Sequence, residues 1–400
     1  MTLNQIDYVN KCLVSWTQYS DDSPSITYQI SGTTETGTTF SSSGTVSGNS
    51  IDMLPYLVQQ KALSNVVFSI TSIQVPHGSN GNAMAQLSGK SISINCKYSH
   101  IESEKLIFST ITYYQIANEL HLHNLRNDLG TRKRLDNDIE INNFTSWTPI
   151  PTFTGFLYGG GFKISGVSIF INSGNSVPQN IGFIGENNGG LSGLYLEDLE
   201  ITSAEDLVST RVIYVGGLVG TNADQGVIGA CTVVGTITVY RTNSFVGGVV
   251  GYSNSQNGIS ECVFGAVNKS STITGYGFSG GIIGYSSAIV MDCSVKYATI
   301  NHYVASQDLK GIGGIVAFCD STTISDSSIE NSSMFIYYKS DHLRSDAVPV
   351  AGYILGCYKT DYNIDGYTVT NCTNNKNQVT NKSKCFSGSY GLYGGVSPEE

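Results

Sequence analysis

A glycine-rich motif that recurs at a nearly constant interval constrains this chain more than any other feature of its sequence. The five regular copies occupy residues 181–185, 216–220, 247–251, 280–284 and 313–317. Two looser copies follow at 351–356 and 391–394, and successive copies end 31 to 39 residues apart. A fixed period of this length indicates a repeat protein, in which each unit packs mainly against its neighbours. We therefore expect about seven turns of one structural unit.

A second marker recurs in phase with the first. An aliphatic residue stands three positions before a cysteine or serine at Cys231, Cys262, Cys293, Ser327 and Cys372. Each unit reads as three short strands, with glycines at corners where two backbones approach closely. Coils of this kind stack by parallel hydrogen bonding at about 4.8 Å, which predicts a β-solenoid. The glycines expected to be structural are Gly217, Gly220, Gly248, Gly251, Gly281, Gly284 and Gly314.

The composition excludes the main alternatives to a β architecture. Glycine makes up 45 of 400 residues, and each interior glycine costs a helix on the order of 1 kcal/mol relative to alanine. A helical bundle and a coiled coil are therefore excluded. Collagen is excluded because only 8 prolines occur and glycine is not found at every third position. With 40% hydrophobic residues, the chain is also too apolar to be disordered.

The repeats resemble those of the GLUG-motif family of β-solenoid proteins, which is named for repeated Gly-Leu-aliphatic-Gly segments. Residues 114–120, 135–140, 147–150 and 153–161 also look like the segment that such proteins place before their first coil. The resemblance covers about residues 108–395. It implies an all-β, parallel, right-handed β-helix of about seven coils. It also implies a helical cap, formed here by a helix over residues 115–126.

The chain departs from the family pattern in its last coils. Ala317 replaces a closing glycine, and the sixth copy of the motif is one residue longer than the others. The loops around residues 337–350 and 359–384 are also longer than their counterparts. Because loops tolerate variation and carry function, we expect individual recognition to lie there.

These patterns divide the chain into three segments. Residues 1–105 form a small β-rich, sandwich-like docking module. In it, strands at 25–30 and 66–73 are separated by a Ser/Thr/Gly-rich run over 31–50 and a short helix at 54–63. Residues 106–178 provide the cap and the first strands of the solenoid. Residues 179–400 form the repeat solenoid itself.

Stacking turns each repeated position into a column of side chains. Cys231, Cys262 and Cys293 are expected to form a buried column of small side chains that remain free thiols, which hints at a reducing compartment. The residues after the motif, Tyr252, Tyr285 and Phe318, are the candidate binding residues. Their aromatic column either stabilises the solenoid or offers a platform for stacking sugars.

The residues before the cysteines form an acidic column of Glu261, Asp292 and Asp326. One interpretation is a hydrated acidic stripe, neutralised by neighbours such as Lys269. The other is a calcium or general acid–base site of the kind that β-helix lyases and hydrolases build from carboxylates. No arginine or histidine recurs in phase with this column to bind a substrate carboxylate or to transfer protons.

The net charge and the motifs of the chain limit the classes of function that we expect for this protein. With 21 basic and 31 acidic residues the net charge is −10, which disfavours nucleic acid as a partner. We see no secretory signal at the N-terminus, no membrane span, and no motif for a metal or cofactor. We expect a non-enzymatic structural or interaction protein on a virion or at a cell surface. Its partners would be capsid or surface-lattice proteins, a host glycan, or further copies of the chain. The alternative is a polysaccharide-active β-helix enzyme.

Overall fold

The computed structural model describes residues 3–8, 11–16, 25–74, 88–107, 109–173, 177–205, 211–304, 310–338, 350–358, 367–375 and 378–381. The chain divides into two compact units, Met1–Thr145 and Ser146–Glu400. Nearly all of the regular secondary structure in both units is β-strand. Most of the two loops expected to carry recognition, 337–350 and 359–384, and the last motif at 391–394, lie outside the described residues.

The first unit begins with two antiparallel sheets. A three-stranded sheet contains Leu3–Tyr8, Lys11–Trp16 and Ser50–Asp52. A four-stranded sheet contains, in spatial order, Thr39–Ser47, Ser25–Thr34, Ala62–Gln74 and Ser91–Ile94. Helix α1 (Leu54–Gln59) precedes the long strand Ala62–Gln74. Alternate residues such as Ile26, Ile30, Phe68 and Ile70 are buried in one hydrophobic cluster.

The Ser/Thr/Gly-rich run is not the separator that we expected from the sequence. The strand Ser25–Thr34 continues into it, and Thr39–Ser47 then pairs back antiparallel along the same strand. Thr39–Ser47 is an edge strand whose residues are exposed or half-buried. An edge strand can be built from small polar residues, because only one of its sides needs a hydrogen-bonding partner.

The rest of the first unit is a mixture of short elements. Strands Ile101–Lys105, Thr110–Ile116 and Arg132–Leu135 lie side by side, and Ile139–Glu140 follows. Helix α2 (Glu119–His123) and the 3₁₀ turn Asn124–Asn127 lie in the chain between Thr110–Ile116 and Arg132–Leu135. The predicted helix over 115–126 is therefore wrong in its start. The helix begins only after Asn118, whose side-chain oxygen accepts a hydrogen bond from the His121 backbone N–H at 3.1 Å.

The second unit is a parallel β-solenoid, which confirms the all-β solenoid expected from the repeats. We number its four sheets in the order in which the chain visits them. Sheet 1 contains Ile150–Phe153, Ile184–Asn187, Val219–Asn222, Val250–Ser253, Ile283–Ser286, Val316–Cys319 and Leu355–Tyr358. Sheet 2 contains Phe156–Tyr158, Gly190–Ser192, Val227–Gly229, Ile259–Ser260, Ile289–Met291, Thr322–Ser325 and Tyr367–Thr370.

Sheets 3 and 4 complete each coil. Sheet 3 contains Lys163–Ser165, Ser168–Ile171, Tyr195–Ser203, Thr232–Val239, Val263–Phe264, Ser271–Gly275, Ser294–Lys296, Ala298–Val304, Ser328–Glu330, Ser333–Tyr338, Thr373–Asn375 and Gln378–Asn381. Sheet 4 contains Asn180–Ile181, Ile213–Gly216, Ser244–Gly247, Phe278–Gly280, Gly311–Gly313 and Val350–Gly352. The solenoid makes about five turns.

Each coil therefore visits four sheets, whereas the sequence predicted three strands. The glycine motif is not itself a strand. It is the corner at which a sheet 4 strand such as Ile213–Gly216 ends and a sheet 1 strand such as Val219–Asn222 begins. A Cβ added to Gly216 would overlap the Val219 carbonyl oxygen, so the chain turns here more sharply than a residue with a side chain allows.

The interior of the solenoid is built from aliphatic columns in register. Ile201, Ile237, Ile273, Ile300 and Met334 stack in sheet 3, and all five are fully buried. Sheet 2 contributes the buried column Ile228, Ile259, Val290 and Ile324. Each fully buried aliphatic side chain contributes about 1.5–3 kcal/mol, so these columns supply the main driving force for stacking.

No helix among the described residues is both long and apolar enough to cross a membrane.

Candidate functional site

Sheets 1 and 4 lie so close together that only glycine fits at several positions between them. A Cβ on Gly251 would lie 2.5 Å from the Val215 backbone nitrogen, and a Cβ on Gly284 would lie 2.6 Å from the Val246 nitrogen. Gly217 makes the same kind of contact with Gly248, whose carbonyl oxygen would be 2.5 Å from an added Cβ. Close backbone approach thus explains the repeated glycines at this corner.

Two columns of aromatic side chains lie beside this corner, one in sheet 1 and one in sheet 4. The predicted column Tyr252, Tyr285 and Phe318 is in register in sheet 1, with ring centroids 4.9 and 5.1 Å apart. A second column, in sheet 4, consists of Tyr214, Phe245 and Phe278. The two columns are in contact, because the pairs Tyr214–Tyr252, Phe245–Tyr285 and Phe278–Phe318 have centroids 4.9, 5.0 and 4.9 Å apart.

Sequence reasoning missed the sheet 4 column, although its signal is present. An aromatic residue stands two positions before the first glycine of the motif in three successive coils, at Tyr214, Phe245 and Phe278. All six rings of the two columns are half-buried. Each ring lies against others of the set, and such contacts contribute about 0.5–1.5 kcal/mol each beyond the area they bury. The rings therefore stabilise the corner first, and because they are half-buried only part of each is accessible to a ligand.

The phenol groups of Tyr214 and Tyr285 remain protonated at neutral pH. Burial raises the pKa of Tyr285, and its hydroxyl donates a hydrogen bond to the Asp320 carboxylate, which raises that pKa further. Burial also raises the pKa of Tyr214. These hydroxyls can therefore act as hydrogen-bond donors, but they are not nucleophiles or bases.

The acidic column occupies a corner between sheets 2 and 3. Glu261, Asp292 and Asp326 all have left-handed backbones, with φ of 54°, 52° and 50°. Their backbone N–H groups donate to carbonyl oxygens of the next coil, for example Asp292 to Ser325 at 3.1 Å. Aspartate and asparagine tolerate this conformation better than most residues, which gives the two aspartates a structural reason to stand here.

The three carboxylates are exposed. In the part of the chain that the structure describes, the side chain hydrogen-bonded to one of them is the Asn371 amide, which donates to Asp326 Oδ1 at 3.1 Å. Lys269, which we expected to neutralise the column, instead contacts Glu197 at 3.5 Å and Asp198 at 3.8 Å. No group of three or more histidine, cysteine or acidic side chains with metal-binding geometry occurs among the described residues.

Because Asp292 has a left-handed backbone, substitutions there are expected to differ in their effect on the free energy of unfolding. Valine there is expected to lower the free energy of unfolding by about 1–2 kcal/mol, because a β-branched residue is strained at positive φ. Glycine is expected to leave it within about 0.5 kcal/mol. Urea denaturation measures both, with Thr323→Val, on the exposed face of the neighbouring strand, as the control. Equal effects of valine and glycine would contradict the assignment of this corner.

The cysteine column lies inside the same corner. Cys231, Cys262 and Cys293 are at most 1% exposed. Each thiol lies 3.2–3.3 Å from the carbonyl oxygen two residues earlier, and Ser327 makes the equivalent hydrogen bond at 2.9 Å. The seven cysteines whose side chains the structure describes are unpaired. The column is thus a set of small donors that tie down the carbonyl before each left-handed residue.

Two further columns were missed by sequence reasoning, the first because its residue types vary from coil to coil and the second because its spacing along the chain does. Asn187, Asn222 and Ser253 form a buried ladder at the end of sheet 1. The Asn187 amide donates to Asn222 Oδ1 at 2.8 Å, and the Asn222 amide donates to Ser253 Oγ at 3.4 Å. A tyrosine column lies at the ends of the sheet 3 strands, with successive ring centroids 5.6, 5.2 and 4.7 Å apart, and consists of Tyr240, Tyr276, Tyr303 and Tyr337.

A buried histidine interrupts the aliphatic interior. His302 is 1% exposed and pairs in sheet 3 with Gly275. Neither ring nitrogen has a well-formed hydrogen bond among the described residues. Burial, and then the positive charge of Lys310, lower the pKa of His302 to about 4, while the Gly277 backbone acts weakly in the other direction. His302 is therefore neutral at neutral pH.

No protein-family model matches the chain, and no curated protein matches it. One solved structure, described as a "putative immunoglobulin A1 protease" from Bacteroides ovatus, is similar over 69% of this chain and 79% of its own, with a TM-score of 0.46 and 16% identity. A likeness this weak carries no argument about activity. The GLUG-motif family remains a resemblance based on the motifs.

Proposed function

We propose that this protein is a non-enzymatic structural and interaction protein whose β-solenoid serves in assembly or attachment on a virion or a cell surface. The main support for this proposal is that the residues repeated in each coil hold successive coils together. The glycines, cysteines, acidic residues and paired aromatic rings of successive coils lie at corners and in contacts that hold the stack together. The repeat thus supplies a scaffold, and recognition belongs to what the scaffold displays.

The finer architecture is part of the same proposal. The solenoid is right-handed, and residues 1–105 form a sandwich-like docking module. Its partners are capsid or surface-lattice proteins, further copies of the chain, or a host glycan. The tight backbone contacts at the glycine corners support a stiff shaft, since they leave little room for the sheets to move apart.

The geometry does not favour the enzymatic alternative. A pair of carboxylates that acts as acid and base needs environments that separate the two pKa values. Glu261, Asp292 and Asp326 instead share one repeated, exposed environment on successive corners. No described histidine, lysine or arginine makes a hydrogen bond or ion pair with any of them.

The decisive experiment compares binding with cleavage. We expect the wild-type protein to release no new reducing ends or unsaturated sugars from a panel of neutral and acidic polysaccharides. The triple variant Glu261→Gln, Asp292→Asn, Asp326→Asn keeps side-chain shape and the asparagine preference for a left-handed backbone. We expect it to retain any ligand or particle binding of the wild type. Cleavage by the wild type that the triple variant lacks would overturn the proposal in favour of the enzyme.

Imaging of the protein in its native particle or cell tests the assembly role independently. We expect copies of the chain at fixed positions on a particle or a cell surface. A freely diffusing protein with no fixed neighbours would contradict this role.

A further inference from the structure

A cavity of about 270 Å³ opens to solvent beside the first coil of the solenoid. It is lined by residues 146–149, which precede the first sheet 1 strand, by 169–172 from sheet 3, and by Val177, Pro178 and Ile181. Among the described residues that line it, none is charged. The volume lies just below the range usual for small-molecule sites, so it suits a ligand about the size of one ring.

Aromatic side chains form the apolar part of this cavity. The Phe170 side chain is 54% exposed at its rim, although neighbouring strand residues Ile169 and Ile171 are buried. Trp147 forms a buried wall, because its ring stacks on Phe183 with centroids 5.0 Å apart and its indole N–H donates to the Phe183 carbonyl at 2.9 Å. The cavity thus combines a fixed aromatic wall with an exposed aromatic face.

Uncharged polar groups complete the lining. Ser146 and Thr148 contribute hydroxyls, and Asn172 contributes an amide. The Asn172 backbone is held in place, because its carbonyl accepts a hydrogen bond from the buried Arg241 guanidinium at 3.3 Å. A ligand that suits this lining has an apolar face, several hydroxyl groups and no charge.

The strand register connects the cavity to a longer polar track. Phe170 pairs in sheet 3 with Thr202, and the same position in the following coils is Thr238 and then Thr274. These three threonines are half-buried at the sheet surface, while Ile237 and Ile273 point to the interior. Strand stacking spaces such hydroxyls at about 4.8 Å. A row of hydroxyl groups therefore leads from the Phe170 rim along the solenoid.

We propose that the cavity binds one uncharged sugar residue against Phe170 and that a glycan chain extends from it along Thr202, Thr238 and Thr274. The inference rests on the proposed attachment function and assigns its ligand. The apolar face of a sugar ring packs on Phe170, and its hydroxyls exchange hydrogen bonds with the Asn172 amide and the Ser146 and Thr148 hydroxyls. A single shallow site of this kind binds weakly, with a Kd on the order of 1 mM, and gains avidity when several copies are displayed together.

Saturation-transfer NMR and titration calorimetry test the site with neutral oligosaccharides of glucose, galactose, mannose and N-acetylglucosamine. We expect at least one to bind the wild-type protein, and Phe170→Ala to weaken that binding at least tenfold. Phe170→Tyr retains a stacking face and is expected to bind within about threefold of the wild type. Ile289→Ala removes an equally exposed apolar side chain from sheet 2 and is the matched control, expected to bind as the wild type does.

The outcomes of these experiments distinguish failure of the proposed glycan site from failure of the proposed attachment function. Glycan binding that Phe170→Ala leaves unchanged would overturn the cavity while leaving an attachment role intact. Binding of acidic sugars alone, or of no sugar up to about 10 mM, would overturn the ligand assignment, and the imaging experiment would then decide the assembly role separately. Thr238→Val with Thr274→Val is expected to weaken a hexasaccharide about threefold or more and to leave a disaccharide unaffected. Equal effects on both lengths would overturn the extended track.

Discussion

Replacing Gly251 with alanine is expected to lower the free energy of unfolding of the solenoid by about 3 kcal/mol or more. An added Cβ would lie 2.5 Å from the Val215 nitrogen, 2.6 Å from the Gly220 carbonyl oxygen and 2.7 Å from the Tyr214 carbonyl carbon. All three atoms belong to backbone, so no side chain can rotate to make room. Sheets 1 and 4 would have to separate locally, which would also pull apart the Tyr214 and Tyr252 rings.

Ala317 provides the matched control for Gly251→Ala. It occupies the equivalent sheet 1 position two coils later, between Val316 and Phe318, and its methyl group is already accommodated there. Ala317→Gly is therefore expected to cost only about 0.5–1 kcal/mol. Urea denaturation followed by circular dichroism measures both variants. If Gly251→Ala unfolds at the wild-type urea concentration, the close contact between sheets 1 and 4 is not a constraint on the fold.

Acidification from pH 7 to pH 4.5 is expected to cost the solenoid about 2–3 kcal/mol through His302 alone. The pKa of this buried histidine falls from its ordinary value of 6.5 to about 4 in the folded chain. In the unfolded chain it takes up a proton below pH 6.5, whereas in the folded chain it stays neutral until about pH 4. The stability that it supports is therefore complete above pH 6.5 and is lost progressively as the pH falls toward 4.

His302→Leu removes this titration and is expected to flatten the pH dependence by the same amount. Leucine suits the position because the next residue in the column, Ile336, is a buried aliphatic. The chain has two tryptophans, Trp16 and Trp147, one in each compact unit. In a Trp16→Phe background, tryptophan fluorescence reports unfolding of the solenoid alone. An unchanged difference in stability between pH 7 and pH 4.5 in His302→Leu would show that other groups control the acid response.

The measurement must be confined to the solenoid because the first unit contains its own acid-sensitive histidine. Burial, and then the positive charge of Arg126, lower the pKa of His123 to about 4, although its ring lies 2.9 Å from a Glu35 carboxylate oxygen. Burial also lowers the pKa of His121. Acid is therefore expected to destabilise both units, each through histidines that are buried in the neutral form.

The repeat alone was enough to predict a parallel β-solenoid, because two markers in one period leave few other ways to bury an aliphatic position in every coil. It did not show how the chain turns. The glycine motif reads as a short strand, since Leu218 and Val219 between its glycines are strand-forming residues. In the structure it is a corner, and both aliphatic residues are fully buried.

The candidate site was only half predictable. Tyr252, Tyr285 and Phe318 follow the motif directly and were visible as a column, whereas Tyr214, Phe245 and Phe278 precede it. Their pairing depends on how tightly sheets 1 and 4 fold together. The acidic column illustrates the opposite problem. Repeated carboxylates suggest chemistry, but the left-handed backbone at Glu261 and Asp292 is a property of the folded corner and leaves no unique mark in the residue types.

The sequence by itself determined the period, the solenoid class and the residue types that recur in columns, because a stacked coil must repeat its buried residues at every turn. Tertiary structure decided which columns face each other, which backbone approaches exclude a side chain, and where a cavity remains. Phe170 shows the difference most clearly. In sequence it is one aromatic residue between two isoleucines, and only the fold leaves it exposed at the rim of a cavity, at the head of a row of threonines. Such contacts join residues that are far apart in the chain, so they depend on packing distances that no local pattern encodes.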